Sequence, residues 1–325
     1  MTRKVTIRDV AYLAGVSIST VSRVVSNKVN VNEATRQKVQ RAIDKTGYEP
    51  NYTARALATK NTDTIAVIID RTPSKGFGNS FFLDILDAIA TRLNFYSKDM
   101  LLVFSDGKNS TEYSKVKSLI QSNKIDGVIK LSVQKNDKTI EYLKESGKPT
   151  VVVGRPDSKN ILSVNNDNSK AMQNAVNFLI KKGAKKTAFV GGNKEYIVTI
   201  DRQEGFETAL KKHMIKYTLK DIFYTDFSID AGYEIADKLI EKNYDSVACT
   251  DDLIAYGIAK RYNELGRFIK IISFNNTYLS KISNLPFSSV DINAKLLGKE
   301  AVDLMMNPEY SKKHTLVDTK LIVRS

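Results

Sequence analysis

Several residue types that carry chemistry are scarce in this sequence. It has one cysteine, Cys249, and two histidines, His213 and His314, in 325 residues. A single cysteine cannot form an intramolecular disulfide, and its apolar neighbours Val247 and Ala248 favour a buried strand over a reactive thiol. This cysteine usage is typical of a reducing cytosol, so we expect a cytoplasmic protein.

Catalytic and metal-binding patterns are missing as well. The two histidines are far apart in sequence and lie beside lysines, which favours exposed positions over catalytic or metal-ligating ones. Gly191-Gly192 follows a predicted strand, but neither a dinucleotide-binding fingerprint nor a phosphate-binding loop surrounds the pair. We therefore expect no enzyme activity, no catalytic residue, no metal and no cofactor.

Long apolar runs are also absent. The N-terminal stretch mixes charges through the place where a signal peptide needs apolar residues. No later segment approaches the roughly 18 apolar residues that span a membrane. The sequence therefore predicts neither export nor a membrane-spanning helix.

The sequence does have positive charge, and this charge is unevenly distributed. The formal net charge is +14, and residues 1–62 hold eleven Lys or Arg against four Asp or Glu. This concentration near the N-terminus indicates a polyanionic partner, although a solvated basic surface would carry the same charge. The length of 325 residues exceeds one typical core and predicts two or three domains.

Residues 7–26 have the spacing of two short helices joined by a tight turn. Ala11 is small where the helices would cross, Gly15 stands where the turn needs a positive φ, and Val21 fills the space behind the second helix. Ser17 lies at the expected N-cap of the second helix. This pattern predicts a helix-turn-helix, and the alternative is a small helical hairpin with ordinary polar surface.

The second helix carries side chains that suit the major groove of DNA. Arg23 can offer two parallel donors to guanine, Ile18 can contact a thymine methyl, and Ser19 can contact bases or backbone. The hydroxyls of Thr20 and Ser22 suit phosphate oxygens. These side chains predict a sequence-reading surface.

A third helix and a short helical segment follow. Asn32 is the expected N-cap of the third helix, and Gly47 is its expected end. Residues 50–58 are compatible with a helix but too short to be stable alone in water. This segment therefore needs a partner to fold.

Residues 5–57 closely resemble the lac repressor family of bacterial regulators. The resemblance lies in the runs VTIRDVAYLAGVSISTVSRVVSN, TRQKV, GYEPN and ARALA. It implies that the segment after the third helix is a hinge helix, which folds when two subunits lie side by side on operator DNA. Leu57 would then insert into the minor groove, with Asn51 and Arg55 beside it, unless Leu57 is a plain linker residue.

A homodimer follows from this arrangement, because one reader covers few base pairs and two-fold symmetry doubles the contact. The expected partner is a pseudo-palindromic operator of double-stranded DNA. The DNA-binding residues that we expect are Thr6, Ile7, Ser17, Ile18, Ser19, Thr20, Ser22, Arg23, Asn27, Asn30, Asn51, Arg55 and Leu57.

After residue 63, short apolar runs alternate with helical stretches. The runs are 65–69, 101–104 and 151–153 in a first set, and 187–190, 246–249 and 271–274 in a second. Continuous apolar runs are typical of strands that are buried on both faces. Each set therefore predicts a parallel sheet in a doubly wound lobe.

The expected architecture is a small all-α helix-turn-helix domain followed by an α/β sensor of two doubly wound parallel-sheet lobes. The resemblance, to the same family and to periplasmic sugar-binding proteins, extends to residues 321–325. The boundaries that we expect are 1–48 for the helix-turn-helix, 49–62 for the hinge helix and linker, and 63–325 for the effector-binding and dimerisation domain. Its lobes would cover 63–162 and 163–290, with the C-terminal segment crossing between them.

Ligands of open α/β sheets bind beyond the carboxyl ends of the strands, which places a small-molecule effector between the two lobes. By the resemblance, Arg202, Asp252 and Asn275 lie at effector-contacting positions. Their side chains suit sugar hydroxyls or a carboxylate. A salt bridge or a strand-end cap would explain the same residues.

Aromatic residues could supply a wall for a sugar ring. The candidates are Phe81, Phe82 and Tyr233, although aromatic residues of α/β proteins more often belong to the core. Residues 273–276 are similar to those of maltose-operon repressors within the family, which implies a maltose-type oligosaccharide as the effector. Asn275-Asn276 stands where many relatives have an aspartate, so other sugars remain open.

The sequence thus predicts a DNA-binding transcription regulator, and the resemblance favours a repressor of a sugar-utilisation operon. Its operator affinity would be controlled allosterically by the molecule between the lobes. The alternative is a pure sugar-binding or transport protein, since two lobes alone would qualify. The absent export signal and the helix-turn-helix argue against that alternative.

Overall fold

The computed structural model describes residues 5–25, 30–49, 61–157, 160–310 and 313–324. The chain divides into two compact units, residues 1–62 and 63–325. The predicted hinge helix over residues 50–58 lies outside the described residues.

The N-terminal unit contains the predicted helices α1 (Ile7–Ala14), α2 (Ile18–Val25) and α3 (Glu33–Thr46). Gly15 ends α1 with a φ of 64°, and the Asn32 side chain caps α3 by accepting from the Thr35 N–H at 2.8 Å. The buried core consists of Val10, Ala11, Val21, Val24, Val39 and Ala42. The helix-turn-helix is therefore confirmed, with Ala11 and Val21 buried where the spacing predicted them.

The larger unit, the sensor, alternates strands and helices along the chain. Its first half contains β1 (Thr64–Ile69), α4 (Pro73–Phe77), α5 (Ser80–Phe95), β2 (Asp99–Phe104), α6 (Asn109–Gln121), β3 (Gly127–Lys130), α7 (Lys138–Ser146), β4 (Thr150–Val153), β5 (Leu162–Asn165) and α8 (Asn168–Lys181). Its second half contains β6 (Thr187–Gly191), α9 (Ile197–Lys212), β7 (Ile222–Tyr224), α10 (Ile229–Glu241), β8 (Ser246–Cys249), α11 (Asp252–Glu264), β9 (Lys270–Phe274), α12 (Tyr278–Ile282), β10 (Ser288–Asp291), α13 (Ala294–Met306), β11 (His314–Leu316) and β12 (Lys320–Ile322).

The strands form two six-stranded sheets, one in each lobe. The first sheet has the order β11-β5-β4-β3-β1-β2, and the second has the order β12-β10-β9-β8-β6-β7. Among the paired strands of the described residues, only β10 and β12 are antiparallel. The prediction of two doubly wound parallel-sheet lobes is confirmed, and the carboxyl ends of the parallel strands carry the loops that face the other lobe.

Some strands were missed because they are not continuously apolar. Buried polar residues interrupt β3 at Lys130, β5 at Ser163, and β10 at Ser288 and Ser289. The chain also crosses between the two lobes more often than the boundaries expected from the sequence indicate. The first sheet contains β5 and, at its edge, β11, both from the chain beyond residue 161. After β10 the helix α13 packs against α5, and β12 then joins the second sheet.

The scarce residues lie where the sequence suggested. Cys249 is fully buried in β8, and burial raises the pKa of its thiol. His213 and His314 are exposed. No group of His, Cys, Asp or Glu within the described ranges has the arrangement of a metal site. No helix in these ranges is long and apolar enough to cross a membrane.

Candidate DNA interface and effector cleft

Helix α2 separates its core face from an exposed polar face. Val21 and Val24 are buried, whereas Ser22 and Arg23 are exposed on the other side. Ile18 keeps 45% of its surface exposed although it is apolar. The exposed face therefore presents a hydrophobic group, a hydroxyl and a guanidinium together, which are the groups that read DNA base edges and phosphates.

Ser17 fixes the start of this helix. Its hydroxyl accepts a hydrogen bond from the Thr20 N–H at 3.1 Å and lies 2.8 Å from the hydroxyls of Ser19 and Thr20. At the start of α1, the Thr6 N–H and hydroxyl both donate to the Asp9 carboxylate, at 2.8 and 2.7 Å. Capping hydrogen bonds from side chains within the first turn thus fix the start of both helices.

The remaining predicted DNA-binding residues divide by exposure. Thr6, Ser17, Ser19 and Asn30 are exposed, and Ile7 and Thr20 are partly buried. Asn27, Asn51, Arg55 and Leu57 lie outside the described residues.

A cleft opens between the two lobes of the sensor, and we call it the effector cleft. Its cavity volume is about 100 Å³, which is smaller than the roughly 300–1,000 Å³ typical of small-molecule sites. Its lining residues are Arg71, Asn79, Phe81, Phe82, Leu131, Ser132, Val133, Val153, Gly154, Arg155, Asn165, Asn166, Asn168, Tyr196, Ile197, Val198, Asp201, Arg202, Phe227, Thr250, Asp251, Asn275, Ile292 and Leu297. Many of them follow the carboxyl ends of strands in both sheets.

Arg202 of α9 lines this cleft and is only 4% exposed. Its guanidinium donates to the Asn168 side-chain oxygen at 2.9 Å and to the Thr250 carbonyl at 2.6 Å. It also lies 4.0 Å from the ring centre of Phe274. Burial lowers the pKa of Arg202 to about 10, and nearby carboxylates partly oppose that shift. Neutral groups therefore orient a buried cation beside the cavity.

Asp251, two residues after the end of β8, joins the lobes. Its carboxylate accepts from the Asn79 amide of the first lobe at 2.9 Å and from the Asn275 amide of the second at 2.8 Å. It also caps α11 by accepting from the Leu253 N–H at 2.7 Å. Burial raises the pKa of Asp251 to about 6, with a smaller contribution from the charge of Asp252.

Asp252, which the sequence placed in the cleft, does not line it. This carboxylate is fully buried and accepts from the hydroxyls of Ser273, Ser289 and Thr277 and from the Thr277 N–H. The carboxylate that lines the cleft is that of the preceding residue, Asp251. Asp251 is the N-cap and Asp252 the first helical residue, so their side chains point to different surroundings.

Tyr233 also lies away from the cleft. Its hydroxyl donates to Glu264 and accepts from Arg261, and Lys260 lies 5.6 Å from the ring centre. These partners belong to α11, so the ring packs on the outer surface of the helix pair α10 and α11 and is not available for stacking on a ligand in the cleft.

Phe81, Phe82 and Asn275 do line the cleft. Phe82 is 3% exposed and is also part of the core, whereas Phe81 is partly buried and packs edge-on against it, with ring centres 5.1 Å apart. Asn275 adopts a φ of 100° at the end of β9, where its backbone N–H donates to Val290 at 2.9 Å. The structure thus brings these three residues together with Arg202.

Sequence reasoning missed several polar and aromatic lining residues. Arg155 binds Asp201 across the lobes with an Nη2–Oδ1 distance of 2.6 Å. Arg71 lies two residues after the end of β1, a position that could have marked it as a strand-end candidate. Tyr196 and Phe227 lie in loops before α9 and after β7, and no sequence motif distinguishes them.

Comparison with known families supports both units. Residues 6–51 match the family described as bacterial regulatory proteins, lacI family. Residues 62–323 match the periplasmic binding proteins and sugar binding domain of the LacI family. Each match covers the part of the chain in which the corresponding fold is seen.

Individual relatives agree with these matches. The HTH-type transcriptional regulator MalR of Streptococcus pneumoniae is 31% identical over 308 residues, covering 93% of this chain and 92% of that protein. Catabolite control protein A of Priestia megaterium is 33% identical, covering 92% of this chain and 94% of that protein. Both alignments extend across the helix-turn-helix and the sensor.

Solved structures give the same result. The transcriptional regulator CelR–cellobiose complex is 26% identical with a TM-score of 0.75 and covers 99% of each chain. The lac repressor dimer bound to operator and an anti-inducer is 22% identical with a TM-score of 0.86, covering 99% of this chain and 98% of that chain, which shows a shared fold. The chain therefore belongs to the lacI family of bacterial regulatory proteins and is a DNA-binding transcriptional regulator.

Proposed function

We propose that this protein represses a sugar-utilisation operon as a homodimer and that a sugar bound in the effector cleft controls its operator affinity. The observation that carries the proposal is the cleft itself. Buried polar side chains from both lobes converge there beside aromatic rings, with Arg202 and Asp251 among them. This combination of polar groups and ring faces is typical of a carbohydrate site.

The class of ligand is supported by the relatives. One is named MalR, and a structural relative is described as a CelR–cellobiose complex. We propose a disaccharide-sized effector and take maltose or a maltooligosaccharide as the first candidate to test. The identities of 31% and 26% to these two relatives are compatible with a different sugar.

Contacts between the lobes give the effector a means of control. Asn79 binds Asp251 across the cleft, and Arg155 binds Asp201. A ligand that competes for these groups or adds bridges between the lobes favours one lobe arrangement over another. A coupling of about 1–3 kcal/mol between effector and operator would change operator affinity about 5- to 150-fold.

The hinge helix with Leu57 and the reading role of Arg23 remain predictions in this proposal. The paired hinge segments of a dimer would fold on the operator, and the sensor would change their stability. A transport function is disfavoured because relatives that align over 92% of their own length are named as HTH-type transcriptional regulators.

The test combines sugar titration with operator binding. Maltose, maltotriose and cellobiose are titrated into the protein on genomic operator fragments at fixed salt, since phosphate contacts make affinity salt-dependent. We expect one of them to change operator affinity of the wild type by at least about fivefold. Arg202→Ala removes that response but retains operator binding without sugar, because Arg202 lies in the sensor and not in the reader.

Arg261→Ala is the matched control. Arg261 lies on α11, pairs with Asp237 at 2.7 Å and does not line the cleft, so its variant retains the response. A full sugar response in Arg202→Ala, or no response of the wild type to any sugar, contradicts the proposal.

A further inference from the structure

Arg71 is a cleft residue whose guanidinium lies among three aromatic rings, and the carboxylates of Asp70 and Asp251 are close enough to interact with its charge. Its guanidinium carbon lies 4.6 Å from the ring centre of Phe227, 4.9 Å from that of Tyr196 and 5.6 Å from that of Phe82. Two of these rings belong to the second lobe, whereas Arg71 follows β1 of the first. The three rings therefore form a cage around a partly buried cation.

The three rings stabilise the positive charge of Arg71, but they do not accept hydrogen bonds from its N–H groups. A guanidinium has five N–H groups and no acceptor, and ring faces supply no oxygen to receive them. Within the part of the chain that the structure describes, Arg71 makes no hydrogen bond or ion pair with another side chain. Its donors are thus available to a ligand in the cleft that it lines.

The carboxylates of the cleft are already engaged. Asp201 is held by Arg155 through two nitrogens, and Asp251 accepts from the amides of Asn79 and Asn275.

Arg202 is a second cation in the lining of the cleft. It is 4% exposed, and its hydrogen bonds go to the neutral oxygens of Asn168 and Thr250. The carboxylates of Asp251, Asp201 and Asp252 lie near enough to offset part of the cost of burying its charge. The lining of the cleft thus offers the guanidinium groups of Arg71 and Arg202 as donors, whereas the carboxylates of Asp201 and Asp251 already accept hydrogen bonds.

We propose that Arg71 selects the effector by charge: its guanidinium binds an acidic group, a phosphate or a carboxylate, carried by the sugar. The inference rests on the proposed function and narrows its ligand from a neutral sugar to an acidic one. Arg71 forms two parallel charge-assisted hydrogen bonds with the acidic group, and Phe82, Tyr196 and Phe227 hold the guanidinium flat for that contact.

The experiment measures binding of matched neutral and acidic sugars to the full-length protein by calorimetry. The pairs are glucose and glucose 6-phosphate, maltose and maltose 6-phosphate, and glucose and glucuronate, with inorganic phosphate alone as a further probe. We expect one acidic sugar to bind at least about tenfold more tightly than its neutral partner. The phosphate and carboxylate arms distinguish the two sources of the charge.

Arg71→Met tests the residue itself. Methionine keeps an apolar stem against the rings and removes the charge, so the preference should fall to within about threefold, while Arg71→Lys retains part of it. Lys75→Met is the control, because Lys75 lies on the same segment, is exposed and pairs with Asp226 at 3.2 Å. It should leave the preference unchanged, and thermal unfolding checks that each variant is folded.

The outcomes separate this inference from the proposed function. Equal or tighter binding of the neutral sugars, or an acidic preference that survives in Arg71→Met, overturns the role of Arg71. If a neutral sugar then changes operator affinity, the proposed function stands alone. If no sugar of either kind binds, both proposals fail, and phosphate alone binding as tightly as the sugar phosphates also overturns the inference.

Discussion

The N-terminal unit and the sensor place their candidate functional side chains in opposite ways. In the helix-turn-helix, Ile18 is 45% exposed and Arg23 lies on the same open face, while Val21 forms the core behind them. In the sensor, Arg202 is 4% and Asp251 is 3% exposed. The candidate recognition residues are therefore separate from the core in the first unit and part of the buried structure in the second.

This contrast has an energetic consequence. A side chain on the exposed face of α2 has few contacts to lose, so its replacement affects DNA binding and not folding. A buried polar group at the cleft has hydrogen-bonding partners that are left unsatisfied when it is removed. Variants of the two units should therefore differ in how strongly stability and binding change together.

The largest effect is expected for Asp252→Ala in the sensor. The change leaves three buried hydroxyls and the Thr277 N–H without their acceptor. It should reduce the free energy of unfolding by about 3–5 kcal/mol, measured by urea denaturation. Asp230→Ala is the control, since Asp230 is exposed in the first turn of α10 and should change stability by less than about 1 kcal/mol. Similar losses of unfolding free energy in both variants would contradict the expectation that buried polar groups of the sensor are needed for its stability.

A smaller, pH-dependent effect is expected for Asp251→Asn. The folded state raises the pKa of Asp251 from 3.8 to about 6, so this carboxyl favours folding below about pH 4 and loses that contribution as the pH rises through 6. Relative to the wild type, the variant should gain about 1–3 kcal/mol between pH 4 and pH 7. Thermal or urea unfolding at several pH values measures the difference. A difference that does not change with pH would show that Asp251 titrates normally.

The smallest effect on stability is expected for Arg23→Ala in the reader. Its free energy of unfolding should stay within about 0.5 kcal/mol of the wild type, because the side chain is exposed. Operator binding should weaken by about 1–3 kcal/mol if Arg23 contacts guanine.

The neighbouring Val21→Ala is the matched contrast, since it removes buried methyl groups and should destabilise the unit by about 2 kcal/mol. Normal operator affinity in Arg23→Ala would remove this residue from the reading surface.

The same contrast explains which residues could be found from the sequence. Ser17, Gly15 and Asn32 act within one turn of their own position, so their caps and φ angles follow from local spacing. Arg202 and Asn275 were found through the resemblance, and both line the cleft. The resemblance pointed to Asp252, whereas the neighbouring Asp251 lines the cleft. The two side chains point to different surroundings because one belongs to the N-cap and the other to the first helical residue.

Some features of this protein depend on residues that are neighbours in sequence, and others depend on residues that only the fold brings together. Helix periodicity, capping residues and apolar runs depend on neighbours within a few positions, so the sequence alone determined the helix-turn-helix and the two α/β lobes. Only the tertiary structure decided the cleft, because it joins Asn79 to Asp251, which are 172 positions apart. It also placed the Arg71 guanidinium among rings from both lobes, a contact that depends on how the two sheets face each other.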